Sequence, residues 1–129
     1  MNFSAGIRKV AFGTPAADQM WAVGQWTGAW DPSYELASVW TDQFTATVMG
    51  IYTSGVLTAK EIELLSIALN ASYTHLDAPG VRHHIRNALK AGATVGEIME
   101  VLKLCVIQGV QACNLGVPIL EEEIAASHR

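Results

Sequence analysis

The sequence predicts an all-α fold, an antiparallel helical bundle. Apolar residues recur at three- and four-residue steps through most of the chain, which is the period of amphipathic helices. Residues that begin and end helices separate these stretches. The alternation of apolar and polar residues that is typical of strands does not occur. We therefore expect antiparallel helices packed around a shared apolar core.

The N-terminal part of the chain predicts an arm followed by two helices. Residues 1–13 show no strong period and predict an N-terminal arm, whereas residues 14–129 predict a single helical domain. Thr14-Pro15 and Asp31-Pro32 each resemble an N-cap followed by a proline at the first helical position. The second signal opens a stretch of helical spacing that we expect to run from Ser33 to Thr53.

Three further helices are predicted after Thr53. Thr58-Ala59-Lys60-Glu61 and Thr94-Val95-Gly96-Glu97 are capping boxes, in which the threonine hydroxyl and the glutamate carboxylate each accept a backbone N–H of the first turn. Between these boxes, Val81 to Ala91 predicts a helix. The second box opens the longest apolar run, Ile98 to Leu115, and Gly116 predicts its end.

Composition excludes several classes of partner. The 129 residues carry a net charge of −4 without a basic stripe, which argues against nucleic acid. No uninterrupted apolar stretch reaches the roughly 18 residues of a membrane helix, and residues 1–9 do not look like a signal peptide, so we expect a cytoplasmic protein without a membrane segment. Half of the residues are apolar, which favours a homo-oligomer that covers an apolar surface.

The two cysteines do not predict a disulfide. Cys105 and Cys113 lie eight residues apart, about 12 Å along one helix, whereas a disulfide needs Cα atoms within roughly 7 Å. We expect two buried, reduced thiols.

The densest cluster of titratable side chains lies in the break between two predicted helices. Three of the four histidines fall between Tyr73 and His84, together with Asp77 and Arg82. Because the imidazole pKa lies near ~6.5, such a cluster can move protons at neutral pH. Adjacent helical residues diverge by about 100°, so His83 and His84 cannot both face the core, and we choose His84 as the inward one.

Two further side chains bear on this cluster. Glu63 stands in a helix that is apolar nearly all round, and a buried carboxylate is either paired or functional. His75 and Asp77 invite a metal site with His83 or His84, but the spacing matches no metal motif, and Asp77 is well placed to cap the helix that follows it. We expect no metal and no cofactor.

Two segments carry a resemblance to a known family. These are Leu57 to Leu69 and His84 to Val101, the second with the pattern His-x3-Ala-x3-Gly-Ala-Thr-x2-Glu-Ile-x-Glu. They resemble the carboxymuconolactone decarboxylase and alkyl hydroperoxidase D superfamily, over about residues 33–124. The resemblance implies an all-helical fold that assembles as trimers or hexamers, with sites near subunit contacts.

The hydroperoxidase branch of this superfamily implies a peroxiredoxin-like reductase built on Cys-x2-Cys-x3-His and a relayed glutamate. His84 matches the motif histidine and Glu63 the glutamate. Counting back from His84 gives Asp77 and Gly80 at the cysteine positions, and counting forward from Glu63 finds no thiol either. A thiolate nucleophile and a resolving thiol are therefore missing from the motif.

The decarboxylase branch resembles the chain better and implies loss of carbon dioxide from small lactones of aromatic-acid breakdown, with a double-bond shift. Such a step needs one proton to be moved and cations to hold carboxylates. This branch often carries a glutamate where the present chain has Gly80. A non-catalytic oligomer that binds a small molecule is the third possibility. The candidate catalytic residues are His84, Glu63 and His83, and the candidate substrate-binding residues are Arg82, His75 and Asp77.

Overall fold

The structure, a computed structural model, describes residues 12–128. Regular structure within this range is entirely helical, so the predicted all-α fold class is confirmed. Residues 1–11 of the predicted arm lie outside the described residues, as does Arg129. The α-helices are α1 (Pro15–Ala22), α2 (Asp31–Leu36), α3 (Ser38–Thr53), α4 (Ala59–Ala71), α5 (Ala78–Lys90), α6 (Val95–Val106) and α7 (Gln111–Ser127), with short 3-10 helices at Gly28–Trp30 and Ile107–Val110.

The chain divides between Thr58 and Ala59 into two compact units. In the first unit, α3 packs against α1 and α2. The backbone N–H of Ala17 donates to Oδ1 of Asp42 at 2.9 Å, which ties α1 to α3. The helix predicted from Ser33 to Thr53 is broken, because Ala37 adopts a non-helical conformation (φ −150°, ψ 63°) and becomes the N-cap residue of α3. The prediction that residues 14–129 form a single domain stays a prediction.

In the second unit, α4 packs against both α5 and α6. The buried core of this unit consists of Ile67, Ala88, Ala93 and Ile98. Ala88 is fully buried, and its small side chain lets α5 approach α4 closely. Helix α4 therefore forms the centre of the unit that contains the candidate site residues.

The predicted capping box at the start of α6 is confirmed. The Glu97 backbone N–H donates to Thr94 Oγ1 at 3.1 Å, and the Thr94 N–H donates to Glu97 Oε2 at 2.8 Å. Lys60 Nζ lies 2.9 Å from Glu97 Oε1, which joins α4 to the start of α6. The hydrogen bond from the Thr94 backbone, and then Lys60, lower the pKa of Glu97 below its usual value. This exposed carboxylate is therefore stabilised in its charged form.

The predicted end of the last long helix at Gly116 is wrong. Helical structure continues as one run of 33 residues from Val95 to Ser127, through Gly116 and Pro118. By length and composition alone this run could cross a membrane, with a mean hydropathy of 1.3 in its most apolar window. Length and composition do not distinguish such a helix from one that packs against another subunit. The expected absence of a membrane segment stays a prediction.

Candidate functional site

Glu63 lies in the second turn of α4, between the buried residues Ile62 and Ile67 of the same helix. Its side chain is 2% exposed, and it ranks among the largest fully buried or nearly buried side chains of the described chain. A carboxylate removed from water in this way is costly unless charged or hydrogen-bonded groups compensate it. The side chain must therefore find its partner inside the unit.

That partner is His84 on α5. Nδ1 of His84 lies 2.7 Å from Oε2 of Glu63, and the imidazole is 19% exposed. An ionised carboxylate only accepts hydrogen bonds, so Nδ1 carries the proton when Glu63 is charged. The Glu63–His84 pair is thus a carboxylate that fixes one imidazole nitrogen and leaves the other, Nε2, for other chemistry.

Within residues 12–128, no side chain or backbone group hydrogen-bonds to Nε2 of His84. An imidazole held at Nδ1 by a carboxylate, with Nε2 unengaged, can take up a proton at Nε2 and release it again. The pair therefore has the parts of a general acid–base group.

His83 has a different environment from its neighbour. Nδ2 of Asn87 lies 3.2 Å from Nε2 of His83, and because an amide nitrogen only donates, that imidazole nitrogen accepts and is unprotonated. Burial, and then the adjacent His84, lower the pKa of His83 below 6.5. The two rings meet edge to face with centroids 4.9 Å apart. His83 is therefore held neutral beside the Glu63–His84 pair.

His75 and Asp77 lie on the loop that joins α4 to α5. Nε2 of His75 lies 4.0 Å from Oδ2 of Asp77. The side chain of His75 is 60% exposed and that of Asp77 is 40% exposed. Asp77 occupies the N-cap position of α5, but its side chain makes no capping hydrogen bond, so the capping role expected for it is wrong. In the described part of the chain, no three or more His, Cys, Asp and Glu side chains form a group suited to a metal ion.

Arg82 does not share the helix face of His84. Residues two apart on a helix diverge by about 200°, and Arg82 instead lines a groove of about 720 Å³ beside the outer face of α5. We call this the α5 groove. Its walls include Leu76, Val81, Arg82, Ile85, Arg86 and Leu89. The structure thus brings together Glu63 and His84 and places Arg82 in a separate environment.

Gly80 occupies the position where the resemblance implied a cysteine or a glutamate. A Cβ atom added there would lie 2.3 Å from Oδ1 of Asn70 and 2.5 Å from Oδ2 of Asp77, closer than any real contact. Hydrogen bonds hold both the side chain and the backbone of Asn70. Its Nδ2 donates to the backbone carbonyl of Ser66 at 2.8 Å, and its backbone carbonyl accepts from the Asp77 N–H at 2.9 Å. Any other residue here would force the side chains of Asn70 and Asp77 to move.

Sequence reasoning missed Asn70 and Leu76. Asn70 carries no signal beyond its place at the end of an apolar helix, and its importance follows only from the close approach of Gly80. Leu76 adopts a left-handed backbone conformation (φ 46°), which disfavours side chains with a Cβ and which no local pattern indicated.

The two cysteines are both free and differ in exposure. Cys105 is half-buried, and its Sγ lies 3.4 Å from the carbonyl oxygen of Val101. Cys113 is exposed on α7, so the expectation of two buried thiols is wrong for this residue. The reason is that the chain leaves the core of its unit at Val106, and every described residue from there onward is exposed.

Comparisons with known proteins agree on one family. The sequence model described as the carboxymuconolactone decarboxylase family matches residues 39–122. A solved structure from Burkholderia xenovorans LB400, whose provisional name is gamma-carboxymuconolactone decarboxylase subunit, is 35% identical and superimposes with a TM-score of 0.76. The match covers 84% of the present chain and 43% of that protein, so this chain spans less than half of its length. No curated protein sequence matches.

Proposed function

Since the chain belongs to the carboxymuconolactone decarboxylase family, we propose that it is an enzyme that decarboxylates a small carboxylated lactone, with the Glu63–His84 pair moving the proton. The observation that supports this most is the 2.7 Å contact between a nearly buried carboxylate and an imidazole whose Nε2 is left unengaged. A carboxylate that orients an imidazole through one ring nitrogen leaves the other nitrogen to act as a general acid or base.

The proposed reaction breaks the bond between the substrate carboxylate and its ring carbon. The electron pair of that bond moves into the adjacent unsaturated system, carbon dioxide leaves, the double bond shifts, and a carbon atom takes up one proton. His84 delivers this proton from Nε2 as an imidazolium, and solvent then restores it. Glu63 holds the ring in place through Nδ1 and stabilises the imidazolium.

The remaining candidate residues have lesser parts in this proposal. His75 and Asp77 belong to the exposed loop before α5, where a substrate from solvent would meet the chain first, and we retain them as substrate-binding residues. His83 is held neutral next to His84, so it limits the positive charge around that ring. The carboxylate-binding role of Arg82 stays a prediction on which the proposal does not depend. Assembly as trimers or hexamers belongs to the proposal as well.

Release of carbon dioxide from gamma-carboxymuconolactone tests this function. We expect His84→Ala to lower kcat by a factor of about 10²–10⁴, the usual contribution of a general acid or base, and Glu63→Gln to lower it by less. His128→Ala is the matched control, because it removes an exposed histidine from the end of the chain. Folded His84→Ala protein that keeps the native rate would contradict the proposal, and so would native protein that decarboxylates no lactone acid.

The same preparations distinguish the thiol chemistry of the hydroperoxidase branch. That chemistry needs a thiolate and a resolving thiol. Cys105 and Cys113 are its only sources in the chain. Reduction of an organic hydroperoxide that is lost on changing both cysteines to serine would replace our proposal by that alternative.

A further inference from the structure

The C-terminal helix presents apolar side chains to solvent along its whole length. Every residue from Val106 to His128 is exposed. The large apolar residues of α7 are 49–70% exposed; they are Leu115, Val117, Ile119, Leu120 and Ile124. A helix that is apolar and uncovered marks a surface for another element to bury.

Helix α7 does not fold back onto its own unit. The run from Val95 to Ser127 is continuous and, at 33 residues, about 50 Å long. Its first part, α6, packs against α4, and the rest extends in the same direction beyond that contact. Among the described residues, only the first turns of α7 border another part of the second unit, at Tyr73, and the rest of the helix lies uncovered.

The α5 groove carries positive charge that the described residues do not neutralise. Arg82 and Arg86 lie four residues apart on α5, so both guanidinium groups border the same side of the groove. Neither forms an ion pair with any carboxylate among residues 12–128. Val81, Ile85 and Leu89 supply an apolar wall beside them. The groove therefore suits an occupant that presents carboxylates to the arginines and apolar side chains to the wall beside them.

One face of α7 has this character. Ile119 lies four residues after Leu115, and Glu122 and Glu123 lie three and four residues after Ile119, so all four side chains lie on one side of the helix. We call them the acidic face of α7. It is apolar over two turns and carries two carboxylates on the third, and α7 contains no basic residue before His128.

We propose that the α5 groove binds the acidic face of α7 from a second copy of this chain. Glu122 and Glu123 pair with Arg82 and Arg86, and the two apolar side chains of the acidic face cover the apolar wall of the groove. The lengths agree: Val81 to Leu89 and Leu115 to Glu123 are each nine residues, about 12 Å of helix from the first Cα to the last. This match along two helices favours a helix over a small molecule as the occupant.

The contact has a consequence for symmetry. The groove and the acidic face are different surfaces, so two copies either exchange their α7 helices reciprocally or bind head to tail and close a ring. The inference concerns assembly and does not rest on the proposed proton chemistry, because neither Glu63 nor His84 lines the α5 groove.

Charge reversal with rescue tests this contact. Sedimentation equilibrium of the full chain at low salt gives the dissociation constant of its self-association. We expect the double variant Arg82→Glu/Arg86→Glu, and separately Glu122→Arg/Glu123→Arg, to raise this constant at least about tenfold, since opposed charges become like charges. Combining all four changes restores opposite charges, and we expect it to return the constant to within about threefold of the native value.

Two control variants carry the same kind of charge change away from the contact. Lys103→Glu lies on α6, away from the groove lining, and Glu121→Arg lies on the opposite side of α7 from the acidic face. We expect each to change the dissociation constant by less than about twofold, as isolated surface charges contribute little. Circular dichroism of each variant checks that its helical content is unchanged.

Three results would overturn the inference. They are a native chain that is monomeric at all concentrations, reversals that leave the constant unchanged, and single reversals that weaken association without rescue in the combined variant. Octanoate serves as a probe of a small amphipathic anion. If reversal of the two arginines abolishes octanoate binding and leaves association intact, the groove is a small-molecule site instead.

Discussion

Nδ1 of His84 and Oε2 of Glu63 lie 2.7 Å apart across the contact between α5 and α4, with the carboxylate almost entirely removed from solvent. Each group compensates the desolvation of the other, because a buried charge without a partner is costly. The same contact therefore contributes to the stability of the unit and to the orientation of the imidazole.

Removing the carboxylate should destabilise the protein. We expect Glu63→Ala to lower the free energy of unfolding by about 2–4 kcal/mol, since it leaves a cavity and an unpaired imidazole, and Glu63→Gln to lower it by less because an amide still hydrogen-bonds. Urea denaturation measures both. Glu100→Ala, which removes an exposed ion pair with Lys103, is the control and should change stability by no more than about 0.5 kcal/mol. Equal effects of Glu63→Ala and Glu100→Ala would contradict the buried pair.

A second stability prediction concerns the glycine at the start of α5. Gly80→Ala should lower the free energy of unfolding by about 1–3 kcal/mol, because its Cβ would overlap Asn70 and Asp77. Gly50→Ala is the control: Gly50 lies within α3 with no atom near its added Cβ, so alanine should stabilise by roughly 0.5–1 kcal/mol. A Gly80→Ala variant as stable as Gly50→Ala would refute the tight contact.

Because of His83, the free energy of unfolding should decrease as the pH falls below about 6.5. Its pKa is lowered below 6.5 in the folded protein, so the unfolded chain binds a proton first as the pH falls. The neutral His83 ring contributes fully to the free energy of unfolding above about pH 6.5. This contribution is lost as the pH falls from there to the pKa of His83 in the folded protein. An NMR titration of the His83 ring should give a midpoint below 6.5. A midpoint at or above that value would show that Asn87 and burial do not hold the ring neutral.

The capping box of α6 provides a fourth prediction. Thr94→Ala should lower the free energy of unfolding by about 1 kcal/mol, the usual contribution of an N-cap side chain. The lowered pKa of Glu97 means that this carboxylate stabilises the fold above its ordinary pKa and ceases to do so as the pH falls through the folded pKa. The difference in stability between the native protein and Glu97→Gln, measured by urea denaturation, should therefore shrink toward acidic pH. A constant difference would contradict the assigned pKa direction.

Much of the fold was predictable because helix signals are local. The capping box at Thr94 and the apolar period of α4 were sufficient to place these helices. The end predicted at Gly116 failed, since glycine ends a helix only when the backbone turns there, and an exposed α7 continues through it. The break at Ala37 left no trace in the apolar spacing.

The candidate site was predictable only in part. An isolated carboxylate in an apolar helix and a histidine in the next helix indicated Glu63 and His84, and the structure places them in contact. Whether they act in catalysis stays a prediction. Arg82 illustrates the limit, because nearness in sequence to His84 does not bring two residues to the same helix face. The crowding of Gly80 by Asn70 depends on the turn between α4 and α5, which a sequence pattern does not define.

The central claim, that Glu63 fixes the proton of His84 on Nδ1 and leaves Nε2 to exchange protons, is tested most directly by two-bond ¹H–¹⁵N NMR of the imidazole rings. In the native protein we expect the neutral His84 ring to be protonated at Nδ1 and bare at Nε2, and this preference to weaken in Glu63→Gln. A neutral His84 that carries its proton on Nε2 in the native protein would contradict the account.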